Sequence, residues 1–325
     1  MSTPPLTPGG VSSGPEPTSA PPFAVLDEFV HGEPVAEGNL AAAGIPGRGR
    51  VERLQKIFAY TGLVLISLLF FVPFLWSLST SFKPLPETAH FNLIPHDWTL
   101  DGYRNVLTQY NFGRYMANSA IVALSVTLTS VFLSALGGYA FARLRFPGRN
   151  ILFFLVLGTL MIPDQLRLVP IYRMLTIFPV THWNLVDTYQ GYWAIRMVSA
   201  ASLFLMRQYF VTIPRDLEEA AKLDGAGYFK TFWRVMLPLA GPALAAVAIL
   251  EFQGTWNDFF WANLLLQSPD HWTVQVGVAQ FSFTYQTLWN SLMAASMIAL
   301  APVVIVYLFF QRYFVAGVAS AGVKG

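Results

Sequence analysis

The 325 residues are 54% hydrophobic and only 12% charged, with a net charge of +2, whereas a soluble domain carries about 25% charged residues. This balance points to a chain solvated largely by lipid, and the absence of any basic run excludes nucleic acid as a partner. With no cysteine in the chain, disulfides, thiol catalysis and cysteine-ligated metal are excluded as well.

Residues 1 to about 50 are rich in Pro, Gly, Ser and Ala, as in PPLTPGG and SGPEPTSAPP. Such a segment buries too little apolar surface to offset its ordering entropy. It is expected to be a disordered cytoplasmic tail, dispensable for activity, with at most one or two helical turns over residues 23–30. It holds no apolar core of the signal-peptide kind. Gly10-Val11-Ser12-Ser13-Gly14 matches a serine-nucleophile pattern by letter, but no strand precedes it and no helix follows, so the match is chance.

A spanning helix needs about 20 mostly apolar residues, and residues 51–325 supply six. Helix 1 lies between Lys56 and Lys83 and helix 2 between Arg114 and Arg143, both free of charge in between. Helix 3 starts near Ile151 and is interrupted by Pro163, Asp164 and Arg167. Helix 4 runs from about Thr188 to Phe210 with Arg196 inside it, helix 5 from about Leu239 to Leu265 with Glu251, and helix 6 from about Leu288 to Arg312. The expected fold is therefore an all-α bundle of six transmembrane helices with short external loops. Placing both termini in the cytoplasm puts Arg48 to Lys56, Arg143 to Arg149, Arg207 to Arg234, Arg312 and Lys324 inside. Outside remain Lys83, Arg104, Arg114, Arg167 and Arg173, the positive-inside bias of a multi-pass inner-membrane protein. Trp256 and Trp261 then fall at the outer interface, as anchors in preference to a sugar-stacking platform.

Helices 3, 4 and 5 are polar in the middle, and intramembrane charges usually pair or line a wet cavity. At 1.5 Å per residue Asp164, Arg196 and Glu251 reach about the same depth. The expected pair is Arg196 with Glu251, with Asp164 as the second choice because Arg167 offers it a partner three residues on. The competing reading has Glu251 protonated and bonded to a backbone group or hydroxyl. Asp164, Arg196, Glu251, Asn257 and Asp258 are the candidate lining of a translocation path.

The loop between helices 4 and 5, about residues 214–238, reads IPRDLEEAAKLDGAGYFKTFWRVMLP. Asp216 with Glu219 three residues on is a capping-box-like start. Leu217, Ala220, Ala221 and Asp224 share one small face, and Gly225 suits the left-handed turn that ends a helix. A second helix then runs from Tyr228 to Met236 and meets the membrane at Leu237-Pro238.

These residues carry a resemblance. Glu219-Ala220-Ala221, then Gly225, Val235 and Leu237-Pro238 at fixed spacing, resemble the EAA loop of ABC importer permeases, with Val where Ile is usual. Asn118-Ser119, YAFARLRFPGR at 139–149, MIPDQLRLVP, GTWNDFFW at 254–261 and the C-terminal QRYFVAGVASAGVKG are similar to the carbohydrate branch, the second permease of maltose-type and other oligosaccharide importers. The likeness covers about residues 55–325. It implies a coupling helix (Glu219, Ala220, Ala221, Gly225, Leu237, Pro238) docked on a cytoplasmic ATP-binding subunit. It also implies a second permease as heterodimer partner, an extracytoplasmic sugar-binding protein, and rigid-body alternation driven by the ATPase pair.

No lysine follows a glycine anywhere, so the chain has no P-loop and no expected cofactor; it is expected to be no enzyme. None of the five histidines shows H-E-x-x-H spacing, so no metal is expected; His90, His96, His182 and His271 read as solvated outer-loop residues. A secondary transporter is the rival class, but no internal repeat is visible. A polyol or sugar phosphate remains open as cargo beside a sugar.

Overall fold

The structure is a computed structural model that describes residues 48–177, 183–283 and 287–322. The tail as far as residue 47, the Gly10–Gly14 match, His31 and His182 lie outside them, while residues 48–50, expected in the tail, already belong to a helix. Two compact units divide the chain, residues 1–69 and 70–325. Of the first, the backbone of residues 48–69 is seen, as the opening two-thirds of α1 (Arg48–Thr80).

Every regular element among the described residues is helical, as lipid demands, because a helix satisfies its own backbone polar groups. After α1 come a 3-10 turn (Leu85–Ala89), α2 (Asp101–Gln109), α3 (Phe112–Arg143) and α4 (Arg149–Gly158). Then follow α5 (Asp164–Thr176), α6 (Tyr189–Arg196), α7 (Ala200–Thr212) and α8 (Asp216–Leu223). The rest is α9 (Tyr228–Leu239), α10 (Gly241–Trp256), α11 (Phe260–Leu265), α12 (Val274–Phe283) and α13 (Trp289–Gly322).

Among the described residues, three helices are long and apolar enough to cross a membrane, or up to five if two bent pairs each count as one. The three are α1, α3 and α13. One bent pair is α4, extended to Met161, with α5, turned by 104° at Ile162-Pro163; the other is α9 with α10, turned by 78° at Ala240. The first break falls where Pro163, Asp164 and Arg167 predict it. Helix 4 departs from expectation: it is two helices, α6 and α7, parted at residues 197–199, where the Ser199 hydroxyl caps α7 by accepting from the Ser202 N–H at 3.3 Å. Helix 5 also ends early, at Trp256, and restarts as α11. The stretch between helices 1 and 2 holds α2 and the 3-10 turn, so that connection is not short.

In residues 70–325, α3 is the central post. Its buried positions recur every three or four residues, and it contributes to each of three apolar clusters. Near its start Phe112 and Tyr115 pack with Trp256, Phe281 and Ala295; in the middle Val122 and Val126 meet Tyr192, Trp261 and Leu265; near its end Ala135 and Tyr139 meet Met206, Phe210, Phe232 and Met236. Ser130, Ser134 and Gly138 are buried and four apart, the small-residue spacing that brings membrane helices close. A Cβ on Gly138 would stand 2.8 Å from the Arg207 backbone nitrogen, so only glycine lets α7 lie so near.

Trp256 and Trp261 are each 3% exposed. The Trp256 indole N–H donates to the Ala299 carbonyl at 3.0 Å. Both rings therefore fill the protein core instead of anchoring at an interface or offering an open face for stacking. Depth counted along an ideal helix says nothing of the side they face, and the helix ends between them, at Trp256.

Candidate functional site

The loop after α7 forms the first half of the candidate site. Its first helix, α8, does not begin with the expected capping box. Asp216 is already the first helical residue, Arg215 precedes it, and no side chain caps the end. Asp216, Glu218 and Glu219 instead crowd the first turn, where negative charge complements the helix dipole. The C-terminal end meets expectation. Gly225 has φ +76°, its N–H donates to the Lys222 carbonyl at 3.0 Å, and the Ala226 N–H donates to Ala221 at 2.9 Å. These paired bonds are a Schellman motif, closing the helix and turning the chain through a left-handed residue.

The faces of α8 are not those the sequence suggests. Glu218 and Ala221 point inward, at 7% and 9% exposure, while Leu217, Glu219, Ala220, Leu223 and Asp224 are exposed. The reason is a charge pair missed in the sequence. Arg143, the last residue of α3, brings its Nε to 2.9 Å from a Glu218 carboxylate oxygen, with the side chains 4% and 10% exposed. The other arm of its guanidinium donates to the Ile213 carbonyl. The Nε–H is not aimed along a hydrogen bond, so the contact is held by charge. Glu218 and Ala221, three apart on one helical face, are the signal that could have shown which face turns inward.

Leu237 is half-buried and Pro238 exposed. Just before them α9 widens into a π-turn at Phe232–Met236. Pro238 lacks an N–H and its ring clashes with the carbonyl four residues back, and an extra residue in the turn relieves both.

The charges in the middle of the bundle form the second half. The predicted Arg196–Glu251 pair is not there. Arg196 Nε lies 3.9 Å from Asp258 Oδ2, with the side chains 28% and 8% exposed, and its Nη2 donates to the Gly254 carbonyl at 3.5 Å. The Tyr192 hydroxyl donates to the same Asp258 oxygen at 2.6 Å, and the Trp261 N–H to the other at 3.2 Å. Glu251 accepts from the Ser202 hydroxyl, as the competing reading held for its partner. Asp164 pairs with Arg167 and also accepts from the Trp261 indole at 3.5 Å. Asn257 is exposed and takes a bond from Gln275 at 3.2 Å. The two helix breaks explain the change. Arg196 ends α6, and Asp258 sits in the gap between α10 and α11, where an unwound backbone lets its carboxylate face α6.

Asp258→Asn should therefore weaken a buried bond to a charged group, worth about 1.5–3 kcal/mol, and lower transport by roughly tenfold or more. In a double-mutant cycle with Arg196→Gln, measured by uptake in vesicles, the two losses should not add. Arg196→Gln and Glu251→Gln should add; coupling in that second cycle instead of the first would return the pair to Glu251.

At the opposite end of α3, Asn118 and Ser119 tie down the segment before α12. The Asn118 amide donates to the Asp270 and Trp272 carbonyls, both at 2.9 Å, and its oxygen accepts from the Tyr189 hydroxyl at 2.8 Å. The Ser119 hydroxyl accepts from the Val274 N–H at 2.7 Å. His271 is not simply solvated, since its Nδ1 lies 3.2 Å from Asp187 and 3.1 Å from the Ser268 hydroxyl. Burial pushes the Asp187 carboxyl up, but the Ser268 hydroxyl and N–H, with His271, outweigh it and hold the group below its ordinary range. This clamp is thus present at neutral pH and is lost only as pH falls through the depressed value.

Comparison with known proteins identifies the family. The family of binding-protein-dependent transport system inner membrane components matches residues 40–320. The arabinooligosaccharides transport system permease protein AraQ of Halalkalibacterium halodurans is 34% identical over 269 residues, 81% of this chain and 95% of that one. The trehalose/maltose transport system permease protein MalG of Thermococcus litoralis is 37% identical over 281 residues, 85% and 99% of the two chains. Among solved structures, a chain of a bacterial ABC transporter involved in the import of the acidic polysaccharide alginate superposes with a TM-score of 0.73 at 26% identity, covering 82% of this chain and 98% of that one. The chain belongs to the binding-protein-dependent transport system inner membrane component family, and is a membrane transport component and not an enzyme.

Proposed function

We propose that the chain is the permease subunit of an ATP-driven sugar importer, with six membrane spans and both termini in the cytoplasm. Residues 51–325 form the permease body, and residues 1–50 a tail that transport does not need. The sugar class rests on the relatives named for arabinooligosaccharides and for trehalose and maltose. In this reading a second permease completes the translocation path, a binding protein delivers the sugar, and a cytoplasmic ATPase supplies the drive. Asp164, Arg196, Glu251, Asn257 and Asp258 line the path.

The observation that carries the proposal is α8. A short helix is held from behind by the buried Arg143–Glu218 pair and closed by the Gly225 corner, and it presents Leu217, Glu219, Ala220 and Leu223 outward. A rigidly backed helix with a small-residue patch is what a partner groove can grip. Glu219, Ala220, Gly225 and Leu237-Pro238 make or aim that contact, and Ala221 supports it from beneath.

Mechanically, ATPase closure moves α8, and the Arg143 link passes the displacement to the end of α3, the post on which α6, α7 and α10 pack. The two ATPase states bias two arrangements of the bundle. The test is to purify the tagged chain with its co-expressed neighbours. An ATPase should co-elute, and proteoliposomes should take up labelled maltose or arabino-oligosaccharide only with ATP inside and a binding protein outside. Uptake driven by an ion gradient without ATP would reverse the proposal.

A further inference from the structure

Beside α8 lies a basic recess that borders the coupling residue Glu219 at one end and runs away from it to the start of α4. It is two adjoining hollows of about 510 and 560 Å³ that share Arg145, Phe146, Arg149 and Arg215. The first continues to Glu218, Glu219 and Lys222 of α8; the second contains no carboxylate and ends on Gly148, Asn150 and Ile151 at the start of α4.

The charge there is unbalanced. Arg143 has Glu218, but among the described residues Arg145, Arg149 and Arg215 enter no ion pair. Arg149 donates to the Leu144 carbonyl at 3.2 Å and leaves its charge unmet. Three guanidinium groups around one hollow repel one another unless an anion enters, and planar guanidinium forks suit phosphate oxygens. The backbone adds to the same sign. Gly148 holds φ +77° with nothing within 4 Å of a Cβ placed there, and no side chain caps the ten-residue α4, whose first residues line the second hollow, so the positive end of its dipole lies there.

One further feature selects the source of the phosphate. From this rim α4 runs straight into an apolar wall, with Ile151 68%, Phe154 71% and Leu155 63% exposed, within a segment apolar enough to be half of a bent membrane span. A free phosphate or nucleotide has no use for such a wall. A phospholipid has, because its headgroup and acyl chains need a cationic pocket and an apolar strip in that order.

We propose that the recess formed by Arg145, Arg149 and Arg215 at the start of α4 binds the phosphate of an anionic phospholipid, whose acyl chains lie along Ile151, Phe154 and Leu155. Lipid held there sits against both the α4 start and the residue before α8, and so steadies the base of α8 during the transport cycle.

The test uses the whole transporter complex in detergent, titrated with phosphatidylglycerol or phosphatidylcholine and read by native mass spectrometry. Phosphatidylglycerol should be retained in preference to phosphatidylcholine. The triple variant Arg145→Gln, Arg149→Gln, Arg215→Gln should lose that preference by roughly a hundredfold, since each basic residue near an anionic surface is worth about fivefold. Triple lysine replacement should keep a part of it, because charge remains but the fork is lost. Should the glutamine triple fail to assemble, Arg215→Gln alone, just outside α8, reads the same effect at about fivefold. Equal retention of the two lipids, or unchanged retention in the glutamine variants, would overturn the site. Full displacement of phosphatidylglycerol by inorganic phosphate would overturn the lipid source and leave a free-anion pocket.

Discussion

Glu218→Ala is expected to abolish transport while leaving the long helices in place. The substitution strands the Arg143 guanidinium, 4% exposed, whose ion pair among the described residues is with Glu218. Removing one partner of a buried pair costs about 3–5 kcal/mol, much of it the penalty of the charge left behind. That is comparable with the whole of what holds a helix as short as α8 to the body. Docking of α8 should therefore be lost before the bundle unfolds, and limited proteolysis should cut within residues 214–238 of the variant but not of the parent. The double variant Arg143→Met, Glu218→Leu separates charge from packing. It removes both charges and keeps the volume, and such replacements are often neutral, so it should recover protection of the loop and much of the uptake. Parent-like transport in Glu218→Ala, or a double variant no better than the single, would show that the pair does not carry the load assigned to it.

Much of this architecture is legible in the residue order, and the boundary of legibility has a physical cause. The long helices α1, α3 and α13 announce themselves because each carries the run of about 20 mostly apolar residues that a span needs. The break at Pro163 and the corner at Gly225 are legible because proline and glycine act locally, through ring geometry and a permitted positive φ. The Arg196–Glu251 pairing failed for a different reason. Equal depth along ideal helices says nothing about which way a side chain points, and it presumes helices that do not break. Arg196 closes α6 and Asp258 occupies an unwound gap, and neither break is marked by a proline. The inward turn of Glu218 is non-local in the same way, since its partner stands 75 positions earlier, at Arg143. Gly138 lies between these extremes. Its spacing from Ser130 and Ser134 is readable, but which helix it admits, α7, is not.

Gly225→Val and Glu219→Lys together test the coupling role from two sides. Gly225 has φ +76° and nothing within 4 Å of a Cβ placed on it, so the Cβ of a new side chain meets no neighbouring group. The whole cost is conformational, about 1–2 kcal/mol for an L-residue held left-handed and more for a β-branched one. The strain is relieved by opening the Schellman bonds from Gly225 to Lys222 and from Ala226 to Ala221, which re-aims α9 relative to α8. Transport should fall at least tenfold, and the ATPase should elute apart from the permease, while the long helices remain intact by circular dichroism. Gly225→Asn should be much milder, because asparagine visits the left-handed region more readily; a volume effect would instead make the two substitutions alike. Glu219→Lys leaves the corner untouched. Its side chain is exposed in the first turn of α8, so reversing its charge forfeits only a few tenths of a kcal/mol to about 1 kcal/mol of helix-dipole energy. It should nevertheless cost ATPase binding, since an exposed charge at an interface acts through its partner. Normal uptake in both Gly225→Val and Glu219→Lys would mean that α8 is an ordinary surface helix and that the drive for transport enters elsewhere.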